Sequence, residues 1–121
     1  MARRAILILI LCLSAGSAAW AASELVEFAR VHHIKHLKGR AVGQNGAGVA
    51  GATIEVVDHD SRKLFATGKT DDKGRFYMPE IPAGYYDVKI SASGFNSSLY
   101  HVRLSIWHAW WELKVEMFAA K

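Results

Sequence analysis

Thr70-Asp71-Asp72-Lys73-Gly74-Arg75-Phe76-Tyr77-Met78 is a tight turn followed by a strand. Aspartate side chains in such a run bond locally to backbone N–H groups, and Gly74 supplies a positive φ without steric cost. Arg75 to Met78 continue as a strand that stops at Pro79, which has no N–H for a ladder. Just beyond it, Pro82-Ala83-Gly84 forms a second turn that launches Tyr85 to Ala92. There Tyr86, Val88 and Ile90 alternate with Asp87, Lys89 and Ser91, a period of two that places the first set inside and the second in water.

The same punctuation extends in both directions. Thr53 to Val57 is β-branched and reads as a strand closed by the turn Asp58-His59-Asp60-Ser61, with Leu64 to Gly68 as its short successor. Gly43 to Gly51 is a loop rich in Gly, Ala and Asn. Towards the end, Leu99 to Leu104 and Trp110 to Phe118 are strand candidates; in the second, Trp111, Leu113, Val115 and Met117 share a face opposite Glu112, Lys114 and Glu116. Ser23 to Val31 fits either a short helix capped by Ser23 or an extended lead-in to a strand over about Val31 to Val42. Six or seven strands at intervals of roughly 8–12 residues, with no convincing long helix, predict an all-β sandwich.

The N-terminus carries a different signal. Arg3 and Arg4 precede the apolar run Ala5 to Leu13, followed by the small residues Ser14 to Ala22. That is the pattern of a secretory signal peptide, and the run is too short to span a bilayer. Cleavage after Ala21 assigns residues 1–21 to the signal, 22–31 to a lead-in and 32–118 to the sandwich domain. The expected product is secreted or periplasmic, without stable membrane insertion. The single cysteine, Cys12, leaves with the signal, so no disulfide or thiol chemistry is expected. Losing Arg3 and Arg4 from 15 basic residues against 11 acidic ones lowers the net charge from +4 to about +2. No basic block is left that would point to nucleic acid.

Four motifs in order resemble one family. Gly39-Arg40-Ala41-Val42-Gly43-Gln44-Asn45-Gly46, continuing to Gly51-Ala52-Thr53-Ile54, resembles the opening of the carboxypeptidase regulatory-like domain. Thr70 to Phe76 resembles its T-D-x-x-G-x-F turn, Ile81 to Val88 its l-P-x-G-x-Y-x-aliphatic segment, and Ser91-Ala92-Ser93-Gly94-Phe95 its closing S-A-x-G-[YF]. The resemblance implies a prealbumin-like, Greek-key β-sandwich of about seven strands. Gly43 stands where the family commonly has Asp, and Gly48 and Ala50 where it commonly has Pro, so this loop is expected to be more flexible than usual. Gly46, Gly51, Asp71, Gly74, Gly84 and Gly94 are assigned to structural turns.

These motifs explain a fold and say little about a ligand. Two flanking groups remain. His32, His33 and His36 are candidate Cu²⁺ or Zn²⁺ ligands: along a strand His32 and His36 share a face with Ile34, and in a helix they lie one turn apart. No Cys, Asp or Glu nearby completes the set, and His101 and His108 could join only through the fold; solvated histidines are the competing reading. Trp107, Trp110 and Trp111 form the densest aromatic group. Alternation puts Trp111 in the core, while Trp107 and Trp110 are candidates to stack on a carbohydrate or cover a protein partner, against the reading that they close one end of the sandwich.

Catalytic signatures are missing. There is no Gly-x-Ser-x-Gly elbow, no His-Glu-x-x-His and no cysteine nucleophile beyond the signal. Two enzyme families share the implied fold. Met117 to Lys121 contains no Tyr-Arg-Gly-Ser motif of the hydroxyisourate hydrolases, and Tyr85-Tyr86 and Tyr100-His101 do not reproduce the iron-binding surroundings of intradiol dioxygenases. The expectation is a non-catalytic envelope module with no cofactor that docks a protein partner, with carbohydrate or metal binding as alternatives.

Overall fold

The computed structural model describes residues 24–107 and 112–120, and they form a two-layer β-sandwich. The strands are β1 (Leu25–Ile34), β2 (Leu37–Val42), β3 (Thr53–Asp58), β4 (Leu64–Lys69), β5 (Arg75–Met78), β6 (Gly84–Ser91), β7 (Ser97–Leu104) and β8 (Leu113–Glu116). A five-stranded sheet runs in the order β1-β7-β6-β3-β4, and a three-stranded sheet in the order β5-β2-β8. The chain changes sheet between β1 and β2, β2 and β3, β4 and β5, β5 and β6, and β7 and β8, so neither layer is contiguous in sequence. Among the described residues, none of these elements is a helix.

The core lies between the layers. Ile54, Val56, Val88, Ile90, Tyr100 and Val102 face it from the larger sheet, and Leu37, Ala41, Phe76, Met78, Leu113 and Val115 from the smaller. The alternation expected for β6 holds on the inner side. It fails at one outer residue: Asp87, assigned to water, is only 2% exposed. Its burial is taken up below.

The segment before Ile34 is a strand rather than a helix. Its partner is β7, in parallel, with Leu25 opposite Ser97 and Ile34 opposite Leu104. Tertiary pairing overrides the weak local preference here. Ala29 and Arg30 fall in an irregularity between the pairs Phe28–Tyr100 and Val31–His101, and the Phe28 ring stacks on Tyr100 with centroids 4.4 Å apart. The continuous strand expected from Val31 to Val42 instead breaks at Lys35-His36, where the chain crosses from one sheet to the other. This adds β1 to the seven expected strands.

The Thr70 turn ties the layers together. Thr70 is buried; its hydroxyl donates to the Val49 carbonyl (2.7 Å) and accepts from the Ala52 N–H (2.8 Å). Asp71 Oδ1 accepts from the N–H groups of Lys73 and Arg75, both at 2.9 Å, which closes the turn as expected. Those bonds hold the Asp71 carboxyl below the usual carboxylate range, the Arg75 N–H contributing most and the Lys73 N–H next.

Gly74 adopts φ 82°, and a Cβ there would stand 2.5 Å from the Ala41 carbonyl oxygen. Gly46, Gly51 and Gly94 also take positive φ; Gly84 does not, and simply opens β6. The loop at Gly48 has a packing reason for its glycine that the sequence comparison with proline did not suggest: the Thr70 turn crosses directly over it, so that a Cβ at position 48 would lie 2.0 Å from the Lys73 carbonyl oxygen. In the Pro82-Ala83-Gly84 turn, the Tyr86 hydroxyl donates back to the Pro82 carbonyl at 2.9 Å.

Candidate functional site

Asp87 sits near the middle of β6, opposite Val57 of β3 and His101 of β7. Its side chain points to the outer face of the larger sheet. Burial of a carboxylate requires partners, and three side chains, one from β7 and two from the β3–β4 turn, supply them. His101 Nδ1 lies 2.6 Å from Asp87 Oδ1, and His59 Nδ1 lies 2.9 Å from the same oxygen. Arg62 Nη1 donates to Asp87 Oδ2. On the far side of His101, Nε2 lies 2.8 Å from Glu27 Oε2 of β1.

The turn between β3 and β4 is folded so as to deliver His59 and Arg62. Asp58 Oδ1 accepts from the N–H groups of Asp60 (3.0 Å) and Ser61 (2.9 Å), and the Asp58 carbonyl accepts from Arg62 N–H (2.9 Å). Arg62 takes φ 63°, a left-handed conformation that costs a non-glycine residue about 1 kcal/mol or more. The ion pair with Asp87 compensates in part. His59 is held from two sides: its N–H donates to the Tyr85 carbonyl at 3.0 Å, and its ring stacks on Tyr85 with centroids 3.9 Å apart. The Arg103 guanidinium covers the Tyr85 ring at 4.2 Å.

Electrostatics follow from this geometry. Burial alone would raise the Asp87 carboxyl, but the bonds from His59, His101 and Arg62 outweigh it and hold the group below its usual range. Burial alone would lower His101, yet Asp87 and Glu27 on its two nitrogens raise it above the usual imidazole value. With a carboxylate at each nitrogen, His101 bridges Asp87 and Glu27, a setting that favours the doubly protonated ring, whose two N–H groups can each donate to a carboxylate. The cluster joins β1, β7, β6 and the β3–β4 turn across the outer face.

The residues singled out in the sequence lie elsewhere. His32 is half-buried in β1 with its ring tilted against Tyr100 (5.6 Å), and its titration is lowered by burial first and then by Arg30 and His33. His33 is exposed, and His36 lies in the β1–β2 bend with its ring edge-on to Tyr77 at 6.3 Å. Among the described residues, no group of three His, Cys, Asp or Glu donors contains any of these histidines; the one such group is His59, Asp87 and His101, whose ligand atoms lie within 4.8 Å of one another. Trp107 stands 87% exposed beyond β7, beside Ile106 at 67%. It is therefore outside the core. Trp110 and Trp111 lie outside the described residues.

The acid–imidazole cluster is hidden in the sequence because His59 reads as a turn residue and Asp87, by alternation, as a member of a wet face. One signal was available. Gly94 is the midpoint of the β6–β7 hairpin, and counting out equally from it places Asp87 opposite His101.

The family model for the carboxypeptidase regulatory-like domain matches residues 36–106. No curated protein matches the chain. Among solved structures, 5-hydroxyisourate hydrolase from Klebsiella pneumoniae is similar at TM-score 0.53 and 14% identity, over 74% of this chain and 90% of that one. The 3-chlorocatechol 1,2-dioxygenase of Rhodococcus opacus 1CP is similar at TM-score 0.51 and 14% identity, over 82% and 67% of the two chains. Catechol 1,2-dioxygenase from Pseudomonas arvilla C-1 gives TM-score 0.52 at 11% identity, and this chain spans only 59% of its length. At such identities the likeness is one of fold.

Proposed function

Because the chain belongs to the carboxypeptidase regulatory-like domain family, whose domains are generally non-catalytic, we propose that it is a binding module of the cell envelope that docks a protein partner through Ile106 and Trp107. The observation that carries this reading is the exposure of these two adjacent large apolar side chains at the end of β7, 67% and 87%. Leaving them in water forgoes the burial that the core residues of this chain obtain, a cost that a partner's surface would recover. Tryptophan is also enriched among the residues that dominate interface energetics. The signal-like run Arg3 to Leu13 supports delivery to the envelope, where such a partner would be met.

The test is capture from envelope extract under mild crosslinking, using the native chain and Trp107→Ala. Capture of a discrete partner by the native chain, lost or weakened roughly 30-fold or more in the variant, supports the proposal. Equal capture by both removes Trp107 from the interface. Retention on peptidoglycan or another polysaccharide, abolished by Trp107→Ala with no protein captured, would replace a protein partner with a carbohydrate.

A further inference from the structure

We propose that His59, Asp87 and His101 form a binding site for a single divalent transition-metal ion on the outer face of the five-stranded sheet. The first argument is convergence. Two imidazoles from separate elements present the same atom, Nδ1, to one oxygen, Asp87 Oδ1, at 2.9 and 2.6 Å. A tetrahedral ion with ligands at about 2.1 Å keeps its donors roughly 3.4 Å apart, so displacements of about an ångström or less at the two rings admit it. His59 belongs to a turn and is about one-third exposed, so it can make that adjustment and leaves one side of the site open to solvent.

The second argument lies in the outer partners. Metal-bound imidazoles characteristically donate their other ring N–H to a carboxylate, and bound carboxylates are themselves hydrogen-bonded. Glu27 meets His101 at Nε2, 2.8 Å away, and Arg62 occupies Asp87 Oδ2, leaving Oδ1 for an ion. Tyr85 fixes the plane of His59 by stacking. Each of the three donors is thus oriented from behind by a separate residue.

The third argument is the donor set. Two nitrogens and one carboxylate oxygen suit Zn²⁺, Cu²⁺ or Fe²⁺ rather than the all-oxygen shells of Ca²⁺ or Mg²⁺. Loading balances simply: each Nδ1 gives up any hydrogen it carries, to its own Nε2 or to solvent, and His101 Nε2–H can go on donating to Glu27. The site is independent of the Trp107 surface and of His32, His33 and His36.

Titration of the full chain with Zn²⁺ by calorimetry, together with the visible absorption of bound Co²⁺, tests the proposal. The native chain is expected to bind one Zn²⁺ with saturable heat at micromolar concentration and to give the intense bands of a low-coordinate Co²⁺ site. His59→Gln should weaken binding at least tenfold and remove the Co²⁺ bands with the far-ultraviolet circular dichroism unchanged. Glu27→Gln, which touches no ligand atom, should weaken it roughly tenfold or more. A variant with His32, His33 and His36 all changed to Gln should bind as the native chain does. Lack of saturable heat in the native chain, undiminished binding in His59→Gln, or loss of binding in the triple variant would each overturn the assignment.

Discussion

Replacing Thr70 by valine keeps the shape of the side chain and removes only its hydroxyl. The native hydroxyl accepts the Ala52 N–H at 2.8 Å and donates to the Val49 carbonyl at 2.7 Å, at a residue 6% exposed. Ala52 is fully buried and Val49 nearly so, so water cannot readily substitute. Each buried polar group left without its partner costs about 1–3 kcal/mol, and the added methyl returns somewhat under 1 kcal/mol. The expected net destabilisation is about 2–4 kcal/mol, against a total of roughly 5–15 kcal/mol for a domain of this size. At about 4–8 °C per kcal/mol this is a fall in Tm of roughly 8–32 °C. Thr70→Ser, which keeps both hydrogen bonds and loses one methyl, should cost only about 1 kcal/mol. Urea and thermal unfolding followed by circular dichroism measure both. A valine variant as stable as the native chain, or more stable than the serine variant, would refute the reasoning that this hydroxyl clamps the Gly43–Gly51 loop to the β4–β5 turn.

Three further outcomes are expected. Gly48→Ala should destabilise by about 2 kcal/mol or more, because its Cβ meets the Lys73 carbonyl oxygen at 2.0 Å, whereas Gly46→Ala, with open space around it and φ 83°, should cost about 1 kcal/mol; paired urea melts separate collision from backbone strain. Tyr86→Phe removes the bond to the Pro82 carbonyl and should cost about 1 kcal/mol in the same assay. The depressed Asp71 carboxyl means that its contribution is present above the unfolded carboxylate pKa of about 3.9 and is lost as pH falls through the lower folded value. Asp71→Asn should therefore be less stable than the native chain at neutral pH, with the gap closing below about pH 4; a gap independent of pH would show that charge plays no part.

Legibility in the sequence tracked how local the cause was. The Thr70 turn, the Pro82-Ala83-Gly84 turn and the alternation of Tyr86, Val88 and Ile90 are set by residues within a few positions of one another, and they stand as expected. The β1 strand was ambiguous because its partner is β7, with Leu25 opposite Ser97, and nothing near Leu25 announces that partner. The burial of Asp87 was illegible for a related reason. Periodicity counts residues along one strand, and what covers Asp87 is a turn from β3–β4 and a side chain from β7. The necessity of Gly48 likewise depends on the Lys73 carbonyl, distant in sequence. Side-chain chemistry was visible throughout, whereas the places where distant segments meet were not.

The parallel pairing of β1 with β7 also has a temporal consequence. The first strand of the sandwich made by the ribosome has as its partner a strand that appears only after Ser97, and β2 likewise receives β8, from Leu113 onward, on one of its edges. Until those late segments emerge, the early ones have no completed sheet to join. Pairings of such long sequence separation form slowly. A chain emerging from its N-terminus would thus keep β1 unpaired, and β2 paired on its β5 side alone, until nearly all of it was available.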